Sequence, residues 1–393
     1  MKIAFVGFAD FPESSTARRV HMMGKGLAMV GHQVHVVVPQ RFHPGPLFQE
    51  FDGLQVRWGT LVTPATWSTF SARLAARRAA LRLVSQLAAD GLDWLVLYNL
   101  GLVGVPLLLA ARRYGARVAA EYCDLRARPQ QLTLEDRVRY LWLTTADVLI
   151  PRLVQLNIVI SRFLEQRLRS IAPRTPTLVV PPLVDTGLFQ SQPSKAKAFR
   201  ARWRLGDATV ISYLGSYWNA EGVGVLLRAA NELAAAGEQF RLVVSGAASE
   251  GVDCDDVPLL TEKFGLRDKV VLTGWLPTDE VVTAMSAADM LVVPKIDHII
   301  NHAGVPTKLA EYLAIGRAVV ASRIGDIPLY LSDEEDALLC EPGDPLSLAA
   351  ALRRLLKEPD LREHLAGNAR QTAIRHFDYR AAAQRIEAAM LQV

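Results

Sequence analysis

Apolar positions recur along this chain in two alternating patterns: short unbroken runs, and longer stretches with apolar residues three and four apart. In the first half the runs cover residues 2–8, 33–38, 93–98, 116–121, 155–160 and 177–180. Each has the length of a strand buried on both faces. The helical spacing between them predicts helices over 16–30, 68–89, 102–114, 135–149 and 161–170. The second half repeats the alternation, with strands over 210–214, 240–245, 269–273, 290–294, 318–322 and 337–340. Its helices are predicted over 221–236, 257–264, 278–287 and 346–357, with a last helix over 379–391. This alternation is that of doubly wound parallel sheets, one in each half. The polar stretch from Gln190 to Lys195 reads as a linker. The expected division is a first domain over 1–190, a second over 191–375 and a terminal segment over 376–393. The stretch from Leu92 to Ala111 has the length of a membrane span, yet Asp93, Asn99 and Pro106 interrupt it. It divides into a strand and a helix instead.

One unit stands out. The apolar run from Ala288 to Pro294 predicts a buried strand, and Pro306 or Thr307 starts a helix that Gly316 ends in a left-handed turn. Such a helix points unpaired N–H groups at the carboxyl edge of a parallel sheet, where phosphates bind. Thr307, Lys308 and Glu311 share one helix face. A phosphate at the helix start leaves a neighbouring ribose within reach of Glu311.

The pattern Pro306-x-Lys308-x-x-Glu311-Tyr312-x-Ala314-x-Gly316, followed by Ala318-Val319-Val320, resembles the donor-site helix of retaining glycosyltransferases of the GT-B fold, particularly glycosyltransferase family 4. Other landmarks follow in the family's order: Gly31-His32-Gln33-Val34, Asn157 to Ser161, Val179 to Asp185 with Phe189, Ile211 to Gly215 with Glu221-Gly222-Val223, and Val271 to Leu276. The resemblance covers almost the whole chain. It implies two Rossmann-like doubly wound domains facing a central cleft, an acceptor side in the first and a nucleotide-sugar donor side in the second. The terminal helix is expected to cross back onto the first domain. The resemblance also implies a retaining transfer in which the departing phosphate can itself serve as the base, with no cofactor and no metal.

Site residues follow by position. The family's Gly-Gly pair in the first loop corresponds to Ser14 and Ser15, whose backbone N–H groups can meet donor phosphates. Arg18 and Arg19 follow on the first helical turn, on the expected acceptor side. Where the family places a histidine near the transferred sugar, Glu121 and Asp124 are the catalytic candidates, able to bond sugar hydroxyls or stabilise positive charge at the reacting carbon. In the second domain Gly215 and Ser216 are expected at the donor, but the family's basic pair is replaced by Ser216 and Glu221, and its first glutamate by Ala303. A carboxylate at that place repels a diphosphate. Lys295, His298, His302 and Lys308 are the nearby cationic substitutes. Two weaker signals carry no site. Gly24-Lys25-Gly26 lies inside a helix, and Asp253-Cys254-Asp255-Asp256 reads as helix capping rather than a metal cluster.

Composition narrows the partners. Half the residues are hydrophobic and 21% are charged, as in a globular chain. Three scattered cysteines without a Cys-x-x-Cys argue against a disulfide framework or zinc site, and a strand-like start argues against a signal peptide, so a cytoplasmic protein is expected. Residues 1–190 hold 22 Lys and Arg against 13 Asp and Glu, whereas the remainder holds 22 against 27. Arg73, Arg77, Arg78 and Arg82 fall at helical spacing between Ser68 and Ala89, interleaved with Leu74, Leu81, Leu83 and Val84. Such a basic amphipathic helix suits the surface of an anionic membrane; the alternative is a solvated arginine face. Nucleic acid is not expected, because aromatic residues are not interleaved as stacking platforms. The expected activity is transfer of a sugar from a nucleoside-diphosphate sugar to a glycan or lipid-linked glycan, peripherally at the cytosolic membrane face. The alternative is a catalytically weak relative that binds sugar nucleotide or a partner enzyme without transfer.

Overall fold

A computed structural model describes the chain except residues 8–10, 12–14, 43–44, 64–68, 99, 126–133 and 249–252, and the side chains of 15–16, 134–143 and 278. Two compact units form: Met1–Leu183 with Tyr379–Val393, and Val184–Asp378. Both are α/β.

In the first unit the strands are β1 (Lys2–Val6), β2 (Gln33–Arg41), β3 (Phe48–Phe51), β4 (Leu54–Leu61), β5 (Trp94–Tyr98), β6 (Arg117–Tyr122), β7 (Leu156–Val159) and β8 (Thr177–Val179). Their order is β3-β4-β2-β1-β5-β6-β7-β8, and only β3 runs antiparallel to its neighbour. Successive residues of β1 and β5 enter opposite faces of the sheet. Ile3, Phe5, Val96 and Tyr98 join one apolar cluster, and Ala4, Val6, Leu95 and Leu97 join the other. This is why these strands read as unbroken apolar runs. The Tyr379–Gln392 helix belongs to this unit and packs on the Ser15–Met29 helix. A Cβ on Gly26 would meet Ala383 Cβ and Tyr379 O at 2.8 Å, so the two backbones approach closely at a residue without a side chain.

The β3–β4 hairpin is absent from the sequence expectation, because Phe-Gln-Glu-Phe on an exposed edge shows no apolar run. The Phe70–Ala89 helix departs from expectation in a different way. Ala76, Ala79, Ala80, Val84, Leu87 and Ala88 are buried, and the last four join the unit's own core. Most of the apolar side of the helix is therefore used internally, and Arg73, Arg77, Arg78 and Arg82 face solvent together with Phe70 and Leu81. Among the described residues no helix is long and apolar enough to cross a membrane.

The second unit holds β9 (Val210–Leu214), β10 (Arg241–Ser245), β11 (Val270–Gly274), β12 (Met290–Val293), β13 (Ala318–Ser322) and β14 (Leu338–Cys340), all parallel, in the order β11-β10-β9-β12-β13-β14. Strand order reverses between β9 and β12, which opens a crevice at their carboxyl ends. Residues 184–190, read from the sequence as first domain, pack here. Val184 N donates to Phe377 O at 2.9 Å, and Thr186 donates to Asp378. The polar linker continues into a helix, Pro193–Arg202, that opens on a proline and buries Ala196 and Phe199.

Candidate functional site

The crevice between β9 and β12 gathers most of the donor-side residues. β12 runs out through Pro294 to Lys295, the chain turns through the short Ile299–Ala303 helix, and the Thr307–Ile315 helix returns to β13. Gly316 ends that helix at φ +70°, a conformation that favours glycine. Tyr312, on its buried side, accepts from Leu214 N at 2.8 Å and donates to Leu214 O at 3.2 Å, which ties the helix to the end of β9.

Lys308 and Lys295 converge on Glu221. Lys308 Nζ lies 2.7 Å from Glu221 Oε2, and Lys295 Nζ lies 2.5 Å from Oε1. Lys308 also donates to Tyr213 OH at 3.2 Å and sits 4.3 Å from the centre of that ring. Burial alone would push the Glu221 carboxyl up, but the charges of Lys308 and Lys295 and their hydrogen bonds hold it at about 2. Burial pulls the Lys295 ammonium down, with Glu221 opposing and Lys308 adding to the shift. The expected repulsion from a carboxylate at position 221 is thus corrected. By formal charge two lysines outweigh one carboxylate beside the crevice.

The other donor-side residues divide. Gly215 follows β9 at φ +156°, and a Cβ there would overlap Lys308 Nζ, so the lysine reaches Glu221 only across a glycine. Ser216 Oγ accepts from Trp218 N at 3.2 Å, and its carbonyl accepts from Tyr213 OH at 2.6 Å. Glu311 is buried one turn behind Lys308 on the same helix. His298 caps the Ile299–Ala303 helix, accepting from Ile300 N, and packs edge-on against Trp218. His302 pairs with Asp297 at 2.7 Å. Neither histidine joins the lysines. Ser14 lies outside the described residues, as does the side chain of Ser15.

In the first unit Glu121 and Arg19 are corrected more sharply. Arg19 Nε donates to Glu121 Oε1 at 2.6 Å, Nη1 to Pro181 O at 2.8 Å and Nη2 to Val180 O at 2.7 Å. Glu121 is 0% exposed and Arg19 6%. Burial pushes the Glu121 carboxyl up, and Arg19 pulls it back only in part. A side chain so enclosed does not reach a sugar, so this pair joins a helix, β6 and the segment after β8. Arg18 is half-buried and Asp124 exposed, its Oδ2 accepting from the Cys123 thiol at 3.2 Å. Of the two proposed carboxylates, only Asp124 is open to a substrate.

Sequence reasoning carried Tyr213 and Tyr312 inside its motifs but gave no role to them or to Asn301. Asn301 Nδ2 donates to Ala220 O at 2.8 Å and to Ile296 O at 2.9 Å, holding the Glu221 loop against the Lys295 loop. A tyrosine inside the apolar run of β9 was the available signal for Tyr213. The acidic run after Gly251 is structural: Asp256 caps the Val257–Lys263 helix, Asp255 accepts from Gly224 N and Asp253 accepts from Asn219. Among the described residues no group of three or more His, Cys, Asp or Glu is placed to hold a metal.

Known proteins resemble the chain along both units. A family model described as Glycosyltransferase Family 4 matches residues 16–188, and one described as Glycosyl transferases group 1 matches residues 208–358. The 2-deoxystreptamine glucosyltransferase of Streptomyces kanamyceticus is 30% identical over 183 residues, 46% of this chain and 45% of the relative. A D-inositol 3-phosphate glycosyltransferase of Acidothermus cellulolyticus is 32% identical over 210 residues, 51% of this chain and 45% of the relative. The chain spans about half the length of these curated relatives. Sucrose-phosphate synthase from Thermosynechococcus elongatus superposes with a TM-score of 0.79 at 20% identity, covering 100% of this chain and 98% of that one. Anabaena HepE in complex with UDP-glucose gives 0.75 at 18% identity, covering 100% of both. At these identities the likeness is one of fold.

Proposed function

We propose that the chain is a glycosyltransferase of the GT-B fold resembling family 4, and that it transfers a sugar, with retention, from a nucleoside-diphosphate sugar to a hydroxyl of a glycan or lipid-linked glycan. The observation that carries this reading is the Lys295–Glu221–Lys308 cluster at the β9/β12 crevice, one turn ahead of Glu311. Departure of a nucleoside diphosphate builds negative charge on its oxygens, and a fixed cationic group stabilises that charge without reorganising. Lys308 and Lys295 supply it, Tyr213 and Glu221 hold them in place, and Glu311 is the candidate partner of the ribose. With the diphosphate oxygen taking the acceptor proton, no enclosed carboxylate is needed as a nucleophile. That accords with the burial of Glu121. The reaction proceeds without a metal in this reading, because the lysines occupy the electrostatic role. The arginine face of the Phe70–Ala89 helix favours work at an anionic, cytosolic membrane face, where a lipid-linked acceptor resides.

Titration calorimetry tests the phosphate role of the lysines. Lys308→Ala should lower affinity for a nucleoside diphosphate by roughly tenfold or more, the loss of one charge-assisted contact, and leave affinity for the bare nucleoside nearly unchanged. Equal losses for both ligands would remove Lys308 from the phosphate site.

A further inference from the structure

Large apolar side chains are exposed along the β3–β4 edge and at the start of the following helix: Leu47 at 62%, Phe48 at 50%, Leu61 at 48% and Phe70 at 76%. The strand register sets two of them beside arginines. Phe48 lies opposite Arg57 in the β3–β4 pair, with the guanidinium 5.5 Å from its ring centre. Leu61 lies opposite Arg41 in the β2–β4 pair. Alternation along β4 puts positions 57 and 61 on one face of the sheet, the face on which the Phe70–Ala89 helix packs. That helix precedes β5 in a parallel sheet, so its first turns, with Phe70, Arg73 and Arg77, begin at the carboxyl end where β4 finishes at Leu61.

We propose that this edge docks onto an anionic lipid bilayer, with Leu47, Phe48, Leu61 and Phe70 entering the headgroup boundary and exposed Arg73 and Arg77, beside half-buried Arg41 and Arg57, meeting lipid phosphates. It builds on the basic-helix reading above but moves the anchor from the buried side of the helix to the β3–β4 edge. Aromatic and aliphatic side chains interleaved with arginines are the chemistry of a monotopic interface. A second copy is the poorer occupant, since a twofold contact would set these arginines against themselves. Glu50, two residues from Phe48 on β3, is the one carboxylate on that strand, against four arginines.

The test uses the full chain with vesicles of phosphatidylglycerol mixed with phosphatidylcholine, and of phosphatidylcholine alone. The wild type should sediment with the anionic vesicles and keep part of that binding at about 0.5 M salt, where exposed charges are screened. Phe48→Ser with Phe70→Ser should lower the salt-resistant partition by roughly tenfold or more. Both rings are exposed, and only the Phe48 contact with Arg57 is lost, so the thermal midpoint should move little. Phe70→Trp reads the same event directly, its emission shifting to the blue on anionic vesicles. A double variant that sediments like the wild type overturns the apolar anchor and leaves the arginine face standing. A wild-type protein that never sediments overturns both, while donor binding by calorimetry still reports on the transferase reading. A wild-type dimer that the double variant converts to monomer overturns the proposal in favour of self-association.

Discussion

Glu221 stands where a phosphate-binding cation is expected of the family, and what surrounds it decides its meaning. Both its oxygens are taken by lysines, and its carboxyl is held at about 2 rather than near 4.5. A depressed carboxyl stabilises the fold above its ordinary value, and that contribution fades as pH falls from about 4.5 towards 2. Glu221→Gln leaves Lys295 buried without its counter-charge, so unfolding free energy at pH 7 should drop by about 2–4 kcal/mol. The same change makes the cluster more positive. A saturating nucleoside diphosphate, which restores the missing negative charge, should then raise the variant's thermal midpoint more than the wild type's. A smaller rise would mean that Glu221 orients the lysines for the donor rather than merely neutralising them. Glu311 makes a separate claim. If it bonds the ribose, Glu311→Gln should weaken nucleotide binding by roughly 1–3 kcal/mol in calorimetry, for nucleoside and nucleoside diphosphate alike. Unchanged affinity would take Glu311 out of the site.

At the scale of elements, the parallel strands were legible because each is buried on both faces. β5 and β12 have no exposed residue and no polar interruption. The Thr307–Ile315 helix was legible from its proline start and glycine stop. What escaped is what lacks a period. The β3–β4 hairpin alternates too weakly at an exposed edge, and the Pro359–His376 helix carries Gly367 and buries little beyond Leu365, Ala369, Thr372 and Ala373. Of the candidate site, Lys295 and Lys308 could be named from the sequence, as could Glu311 one turn along the helix from Lys308. The contacts of Lys308 with Glu221, 87 residues away, and of Arg19 with Glu121, 102 away, have no local signature. One buried group on β2 yields a pH prediction. His35 is enclosed with neither ring nitrogen partnered, and burial, with Arg57 and Lys2, pulls its pKa down to about 4, Asp90 opposing. The unfolded chain therefore binds a proton that the folded one refuses between about pH 6.5 and 4. Stability should fall as pH drops through that window, by up to about 3 kcal/mol. His35→Leu should flatten this part of the profile in urea unfolding at pH 7, 6 and 5. A variant with the wild-type slope would locate the acid sensitivity elsewhere.

Over the whole molecule charge is divided unevenly, with 22 basic against 13 acidic residues in 1–190 and 22 against 27 in the remainder. A globular unit with such an excess is drawn to anionic surfaces, most strongly where the basic side chains are exposed on one element. Arg73, Arg77, Arg78 and Arg82 meet that condition, because most of the apolar side of their helix faces the core and they face solvent. Two consequences separate this long-range attraction from the apolar anchoring of the β3–β4 edge. It decays within a Debye length of about 10 Å at 0.1 M salt, so the larger part of vesicle binding should be present at low salt and lost as salt rises. It also depends on charge and not on shape, so replacing all four arginines by glutamine should remove most of the salt-sensitive part of sedimentation with phosphatidylglycerol vesicles. The same variant should keep wild-type affinity for a nucleoside diphosphate, since none of the four belongs to the unit that holds Lys295 and Lys308. If the four-glutamine variant still sediments at low salt as the wild type does, the arginine face is only a solvated surface, and the first unit's charge excess has some other use.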